Sequence, residues 1–419
     1  MFRIFRTLLS ALSLIGLSAG GLLPVMNCAQ AAEEDSSRKE TVRLEVGRPL
    51  QAAQEFISAK KYKEALSKID EADAVNQKTP YESYLIYRTR GAAAFADGQL
   101  ELAAQAFATA MDFNRLTVVE YQDITRALAG QFYRKPDYAN AALWATRYLE
   151  KGGPDPQIKV LLAQAYYLMN DYAKAASVLQ EIIRADEAAG KVTLESQLQL
   201  WANCELKLKH NAGMVAALAK LVTHYPKKDY WNDLIRKTQR MPGFSERLAL
   251  DAYRLQRYAG SLDNADDLLE MAGLAMQAGF PAEAKQVIDQ GYVDNLLGIG
   301  ADEGRHRKLQ EQANKGVAED LKALAQDEKR AAGAKNGISS VNTGFNFVLH
   351  GQFEKGIALI ESGIAKGGLK YPDDAKLKLA MAYLYAGQKE KALQEFKSIT
   401  GTDGTTELAR LWVVRINQK

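Results

Sequence analysis

Apolar residues recur along most of this chain three and four positions apart. That spacing gathers them on one side of a 3.6-residue helix and leaves the charged residues on the other. A clear stretch runs Leu162-Ala163-Gln164-Ala165-Tyr166-Tyr167, turns at Asn170-Asp171, and resumes with Ala175-Ala176-Ser177-Val178-Leu179. It reads as two short amphipathic helices joined by a tight turn. A second copy runs from Leu379-Ala380 through Tyr383 and Gly387 to Ala392 and Phe396. The small residues of the second helices, Ala65, Ala103, Ala141 and Ala175, are separated by 38, 38 and 34 residues. Farther on, Ala284, Gly356 and Ala392 hold the same frame with gaps of 72 and 36 residues, two periods and one. Few runs read as strands. The spacing predicts an all-α fold, an α-solenoid of stacked helical hairpins. Each hairpin leaves one apolar face bare, which only a neighbouring copy can cover.

The residue types follow from that packing. Ala163 and Ala175 sit where the two helices of one hairpin cross, and a larger side chain would push the axes apart. Gly98, Gly279, Gly351 and Gly387 fall in the turns, where a residue able to take positive φ ends the first helix. Seven copies are recognisable, near 48–76, 87–114, 125–151, 159–188, 268–292, 340–367 and 376–401. Two weaker ones lie between. One, from Leu200 to Pro226, lacks its turn glycine, and the next, from Trp231 to Leu255, keeps helical periodicity but loses the consensus.

The organisation expected is a solenoid over 46–300, with divergent repeats at about 195–260, a charged segment over 301–338, a repeat pair over 339–402 and a capping helix over 403–419. The charged segment mixes Arg305, Arg307, Lys308, Glu311, Lys315, Glu319 and Asp320 among alanines, which suits a solvated helix with i to i+4 ion pairs or a joint between segments. Of the two, the helix is preferred. Trp412, Val413 and Val414 suit a terminal cap.

The first residues stand apart from this pattern. Arg3 and Arg6 precede an apolar stretch, Thr7 to Met26, with small residues at Ala29 and Ala31, the layout of a secretory signal over residues 1–31. A polar run, Glu33 to Ser37, opens what is expected to be a flexible N-terminal segment over 32–45. Cleavage after Ala31 would release a periplasmic protein with no stable membrane insertion, and retention would leave an anchor. Cys28 follows Asn27, where lipid attachment wants a small residue, so a lipoprotein anchor is not expected. Cleavage would leave Cys204 as the mature chain's only cysteine, a small buried hydrophobe in a helical pattern, and helix packing would supply the stability.

Composition narrows the function classes. With 419 residues, 47% hydrophobic and 25% charged, the chain has ample material for a buried core, and only 10 prolines interrupt it. The 54 basic and 51 acidic residues leave a net charge of +3, too little to gather nucleic acid, so none is expected as a partner. The histidines, His210, His224, His306 and His350, form no metal-binding spacing. Gly298-Ile299-Gly300 through Gly304 has neither the spacing nor the preceding strand of a nucleotide loop. No pair of carboxylates is placed in a cleft. The reading is therefore of a binding protein, not an enzyme, with no cofactor and no metal.

The copies at Leu162–Leu179 and Leu379–Phe396 resemble the tetratricopeptide repeat family residue by residue. The resemblance implies a right-handed superhelix whose first helices line a concave groove. Counted onto this sequence, the groove residues are Arg88, Phe95, Arg126, Tyr133, Arg134, Gln164, Tyr167 and Asn203, with Phe345 and Met381 farther along. Arginine forks hold carboxylates and carbonyls while rings give rigid apolar area, so such a groove would grip an extended peptide or a helix. Two stretches, Leu221–Trp231 and Gly363–Leu377, resemble secreted proteobacterial tetratricopeptide proteins, some of them associated with TonB energy-transduction systems. That likeness implies a periplasmic adaptor with protein partners, TonB-system components among them. The alternative is a scaffold for envelope polysaccharide or outer-membrane protein assembly and export.

Overall fold

The computed structural model describes residues 41–418, which contain helices and no strand. The stretch read as a secretory signal, with Cys28 in it, lies outside the described residues. The described residues divide into two compact units, 41–204 and 205–418.

The first unit stacks helices in hairpins: α1 (Leu44–Ser58) with α2 (Tyr62–Asp73), α3 (Pro80–Ala96) with α4 (Leu100–Asp112), α5 (Val118–Arg134) with α6 (Tyr138–Glu150), and α7 (Pro156–Leu168) with α8 (Tyr172–Ala188). The unit boundary falls inside the next helix, α9 (Glu195–Lys207). Their starts are written in the sequence. Thr79 and Glu82 form a reciprocal capping box on α3, as do Thr117 and Glu120 on α5, and the side chains of Asp137, Asp155 and Asp171 accept from the first free amides of α6, α7 and α8. The turn inside the second hairpin holds Gly98 at φ +80°, and the matching turns of the first and fourth use Lys60 and Asn170 at φ 59° and 62°.

Between hairpins the core is built from alanines at the crossings and large side chains beside them. Leu128, Ala129, Phe132, Trp144, Ala145, Tyr148 and Leu161 form one buried cluster with Ala103 and Phe107 of the hairpin before. Gly91 shows how tight this is, because a Cβ there would lie 2.7 Å from the Phe107 ring. First helices touch their counterparts in the next hairpin, α1 with α3 and α5 with α7, and second helices do so less. The first helices therefore form the inner layer.

The second unit comprises α10 (Asn211–His224), α11 (Lys228–Gln239), a 3-10 turn (Glu246–Leu248), α12 (Ala249–Tyr258), α13 (Ala265–Gln277), α14 (Pro281–Val293), α15 (Glu303–Gly333), α16 (Ile338–Leu349), α17 (Phe353–Lys366), α18 (Pro372–Tyr385), α19 (Lys389–Lys397) and α20 (Thr405–Asn417). The charged segment is the 31-residue helix α15, pinned to α16 where Asp320 receives the Asn346 amide and lies 2.7 Å from His350 Nε2. The α16–α17 hairpin is closest of all. Gly344 and Gly356 face each other so tightly that a Cβ on Gly344 would stand 2.7 Å from the Gly356 carbonyl oxygen.

This unit closes on itself. Helix α20 packs on α12 and α10, with Trp412 stacked on Phe396, its ring centroid 5.0 Å from that of Tyr258, and the Gln418 amide donating to the Val222 carbonyl at 2.6 Å. The segment from Phe244 to Tyr258 is tied to α14, to α18 and to the loop before α20. Arg247 donates to both Asp374 oxygens at 2.9 Å and also to Asp403, and the Ser245 amide donates to the Asp403 carbonyl. Deeper in, Arg254 is 3% exposed; it forks onto Glu283 at 2.8 and 2.6 Å, bonds Asp251 at 2.7 Å, and lies over the Phe280 and Phe345 rings.

Candidate functional site

In the first unit the inner layer carries a repeating arrangement set by the small crossing residues. Gly91, Ala129, Ala163 and Ala202 mark the register. Three positions before the first two come Arg88 and Arg126; four positions after the first three come Phe95, Tyr133 and Tyr167; one position after the last two come Gln164 and Asn203. Residues at these offsets point along one helix face, so the sequence-predicted residues of four hairpins share a strip.

Within that strip some residues are tied together. The Tyr133 hydroxyl donates to Gln164 Oε1 at 3.1 Å, linking α5 to α7. Burial pushes the Tyr133 phenol up to about 12, so it remains a donor throughout the neutral range. Tyr133 also meets Tyr138, the first residue of α6, edge-on at 5.7 Å, and Tyr167 meets Tyr172, the first residue of α8, in the same way at 5.4 Å. Each ring is thus held at a fixed angle by its own hairpin and keeps one face partly open. Burial raises the Tyr167 phenol too, with the Cys204 thiol beside it adding to the effect. Phe95 is half-buried against the core cluster, and Asn203 is half-buried on α9.

The arginines differ from one another. Arg88 donates to Glu120 of the next hairpin at 2.8 Å, and Arg126 bonds Asp123 on its own helix at 3.2 Å. Arg126 is exposed and borders an open depression of about 420 Å³ with Gln122, Asp123, Tyr148, Pro154 and Asp155. Arg134 is exposed in the last turn of α5, away from the depression's lining. Sequence reasoning missed Glu120 and Asp123, which give the strip alternating signs in place of a run of bare cations. Both stand in plain view, Glu120 as the partner in a Thr-x-x-Glu capping box and Asp123 three residues before Arg126.

In the second unit the expectation for Phe345 and Met381 changes. Both are 0% exposed. Phe345 faces the Arg254 guanidinium at 4.8 Å and Phe280 edge-on at 5.4 Å. Arg254 covers Phe345, and Met381 is buried as well, so these two residues are core. The repeat losing its consensus between Trp231 and Leu255 was the available signal, since a segment tied to distant helices is released from the pattern that hairpin stacking imposes.

Comparison with known families agrees with this architecture. The model for the tetratricopeptide repeat matches residues 374–401, and the model for anaphase-promoting complex (cyclosome) subunit 3 matches residues 134–220. The chain carries tetratricopeptide repeats. Repeats of this kind point to a protein-interaction adaptor. No curated protein matches the chain. Among solved tetratricopeptide structures it is similar to yeast Tom70, at 11% identity over 88% of this chain and 95% of that one, TM-score 0.25. It is also similar to the TPR2AB domain of yeast Sti1 in a pHSP90 complex, at 14% identity over 71% and 98%, TM-score 0.24. A structure of Naa15/Naa10 bound to HypK-THB is similar at 16% identity and TM-score 0.29, covering 87% of this chain and 65% of that one. Among the described residues no group of histidine, cysteine and acidic side chains is placed to hold a metal, and no helix is long and apolar enough to cross a membrane.

Proposed function

We propose that the inner strip of the first unit holds an extended segment of a partner protein, and that the chain acts as a non-catalytic adaptor in the periplasm. The observation that carries this reading is the ladder of pre-set rings and polar ends, with Tyr133 locked to Gln164, Tyr167 held by Tyr172, and Arg126 exposed beside an open depression. Rings fixed in advance bury apolar area at little entropic cost, while Arg126, Asp123 and Gln164 offer donors and acceptors for a peptide backbone. The charged pair arrangement favours a segment carrying both signs over a purely acidic one. Export rests on Arg3, Arg6 and the apolar stretch after them, and a TonB-type uptake system is the setting suggested by Leu221–Trp231 and Gly363–Leu377.

The test is mild crosslinking of the tagged protein in envelope extracts, followed by mass spectrometry, on the wild type and on the double variant Arg126→Glu, Tyr133→Ala. The reading expects TonB-motor or receptor subunits that vanish from the variant while its helical content is unchanged. Partners from polysaccharide-export or outer-membrane assembly machines would replace the TonB setting, and partners retained by the variant would remove the strip as the binding surface.

A further inference from the structure

A second recess lies in the other unit and is of a different kind. It has a volume of about 180 Å³ and is bounded by Asn336, Ile338 and Val341 at the start of α16, by Gly368, Lys370 and Tyr371 in the loop before α18, and by Asp374, Ala375 and Lys378 on α18. That is well above the ~10–15 Å³ a single water needs and is room for one small organic molecule. Its walls are mixed: Ile338, Val341 and Ala375 give an apolar side, and Lys378 and Lys370 give the cationic one.

The charges around it are not equivalent. Asp374 lines the recess but is committed to Arg247, which forks onto both its oxygens. The Tyr371 ring is held in turn by the Arg247 guanidinium at 4.0 Å and by Lys370 at 5.1 Å. Lys378 has no hydrogen bond or ion pair to any described residue, although Asp251, Asp374 and Glu283 act on it through space and Arg254 opposes them. Lys378 is half-buried, and burial lowers its pKa, the sign of an ammonium that the acids around it do not fully compensate. An ammonium carries three donors, and no described side chain or carbonyl takes those of Lys378, so they are open to a ligand in the recess. Lys366, by contrast, spends its donors on the carbonyls of Ala331, Ala332 and Ala334. The starts of α16 and α18 both border the space, and the positive ends of two helix dipoles favour an anionic group there.

We propose that this recess is a binding site for a small organic acid, its carboxylate taken by Lys378 and its apolar body laid against Ile338, Val341 and Ala375. A carboxylate supplies the acceptors that Lys378 lacks, and the apolar wall selects an organic acid over an inorganic anion. The site is separate from the strip of the first unit and needs no catalytic step.

The experiment is isothermal titration calorimetry on the full-length protein with sodium propionate, valerate and benzoate, and with inorganic phosphate as the anion without an apolar body. Saturable single-site binding of at least one organic acid is expected, weakened tenfold or more by Lys378→Met and unaltered by Lys397→Met, a change at an exposed lysine of α19. No binding of any acid in the millimolar range, equal binding by Lys378→Met, or phosphate binding as well as the acids would each overturn the proposal. Should Lys378→Met fail to fold, acetylation of the wild type by an N-hydroxysuccinimide ester decides. Protection of Lys378 but not Lys397 by the best-binding acid sustains the site, and equal labelling with and without it rejects the site.

Discussion

Single residues in this chain matter most where a charge is removed from water. Glu82 is 0% exposed, closes the capping box of α3, and receives the Arg43 side chain and backbone amide from 39 residues earlier. The Arg43 guanidinium is the main cause that brings its carboxyl down from an ordinary 4.5 to about 2. Because the folded state holds the anion more tightly than the unfolded chain does, this contribution is complete above about pH 4.5 and is lost as pH falls toward 2. Glu82→Gln should therefore destabilise the first unit at pH 7 by about 1–3 kcal/mol, the range for a buried hydrogen bond to a charged partner. It should do little near pH 2, and chemical denaturation of wild type and variant at both pH values measures the difference. The Thr79-Pro80-Tyr81-Glu82 box is legible in the sequence as a helix start. Its long-range partner is not, because nothing in the residues around Arg43 names a position 39 residues away. The candidate strip divides along the same line: the offsets of Tyr133 and Gln164 from their alanines could be counted, while the pairing of Arg88 with Glu120 depends on how two hairpins lean together.

At the scale of the helix pair, closeness is set by what is left out. The α16–α17 hairpin brings Gly344 and Gly356 into mutual contact, each meeting the other's carbonyl oxygen where a Cβ would go. Gly344→Ala should cost about 1–3 kcal/mol through forced separation of the two helices, the typical penalty for overpacking. An alanine at Gly387, in the turn after α18, meets open space but must take φ +75°, so its cost is backbone strain of about 1–2 kcal/mol. Thermal denaturation of the two variants, each alone, tests both values. Crowding at a crossing and strain in a turn also differ in reach. The first should loosen side-chain packing as seen in the near-ultraviolet dichroism, and the second should not. The hairpins themselves were readable because period, small residue and turn recur together. The segment Phe244–Tyr258 was unreadable for a complementary reason: beyond the local Arg254–Asp251 pair, its arginines answer to acids far along the chain, on α14, on α18 and in the loop before α20.

For the molecule as a whole, the two units differ in how their stability is organised. The first is a run of hairpins, each touching its neighbours, and such a stack opens from its ends with free energies that rise toward the middle. In the second, Arg247 joins the segment before α12 to α18 and to the loop before α20, and Gln418 joins the last helix to α10, so residues 127 to 196 positions apart hold one another. A closed unit of that kind has no free end from which to open. Arg247→Ala removes the bond to Asp374 and the bond to Asp403 at once, and leaves both carboxylates without their guanidinium. Hydrogen exchange followed by mass spectrometry should then show faster exchange in α12, α18 and α20 together, with α1 to α8 unchanged. The same experiment on the wild type should show α1 and α2 exchanging ahead of α5 and α6. Exchange in Arg247→Ala confined to the mutated turn would mean that the ring is held by its apolar seam at Trp412, Phe396 and Tyr258 and that the ion pairs only decorate it. The breadth of the response, more than its size, separates a closure that depends on charge from one that depends on packing.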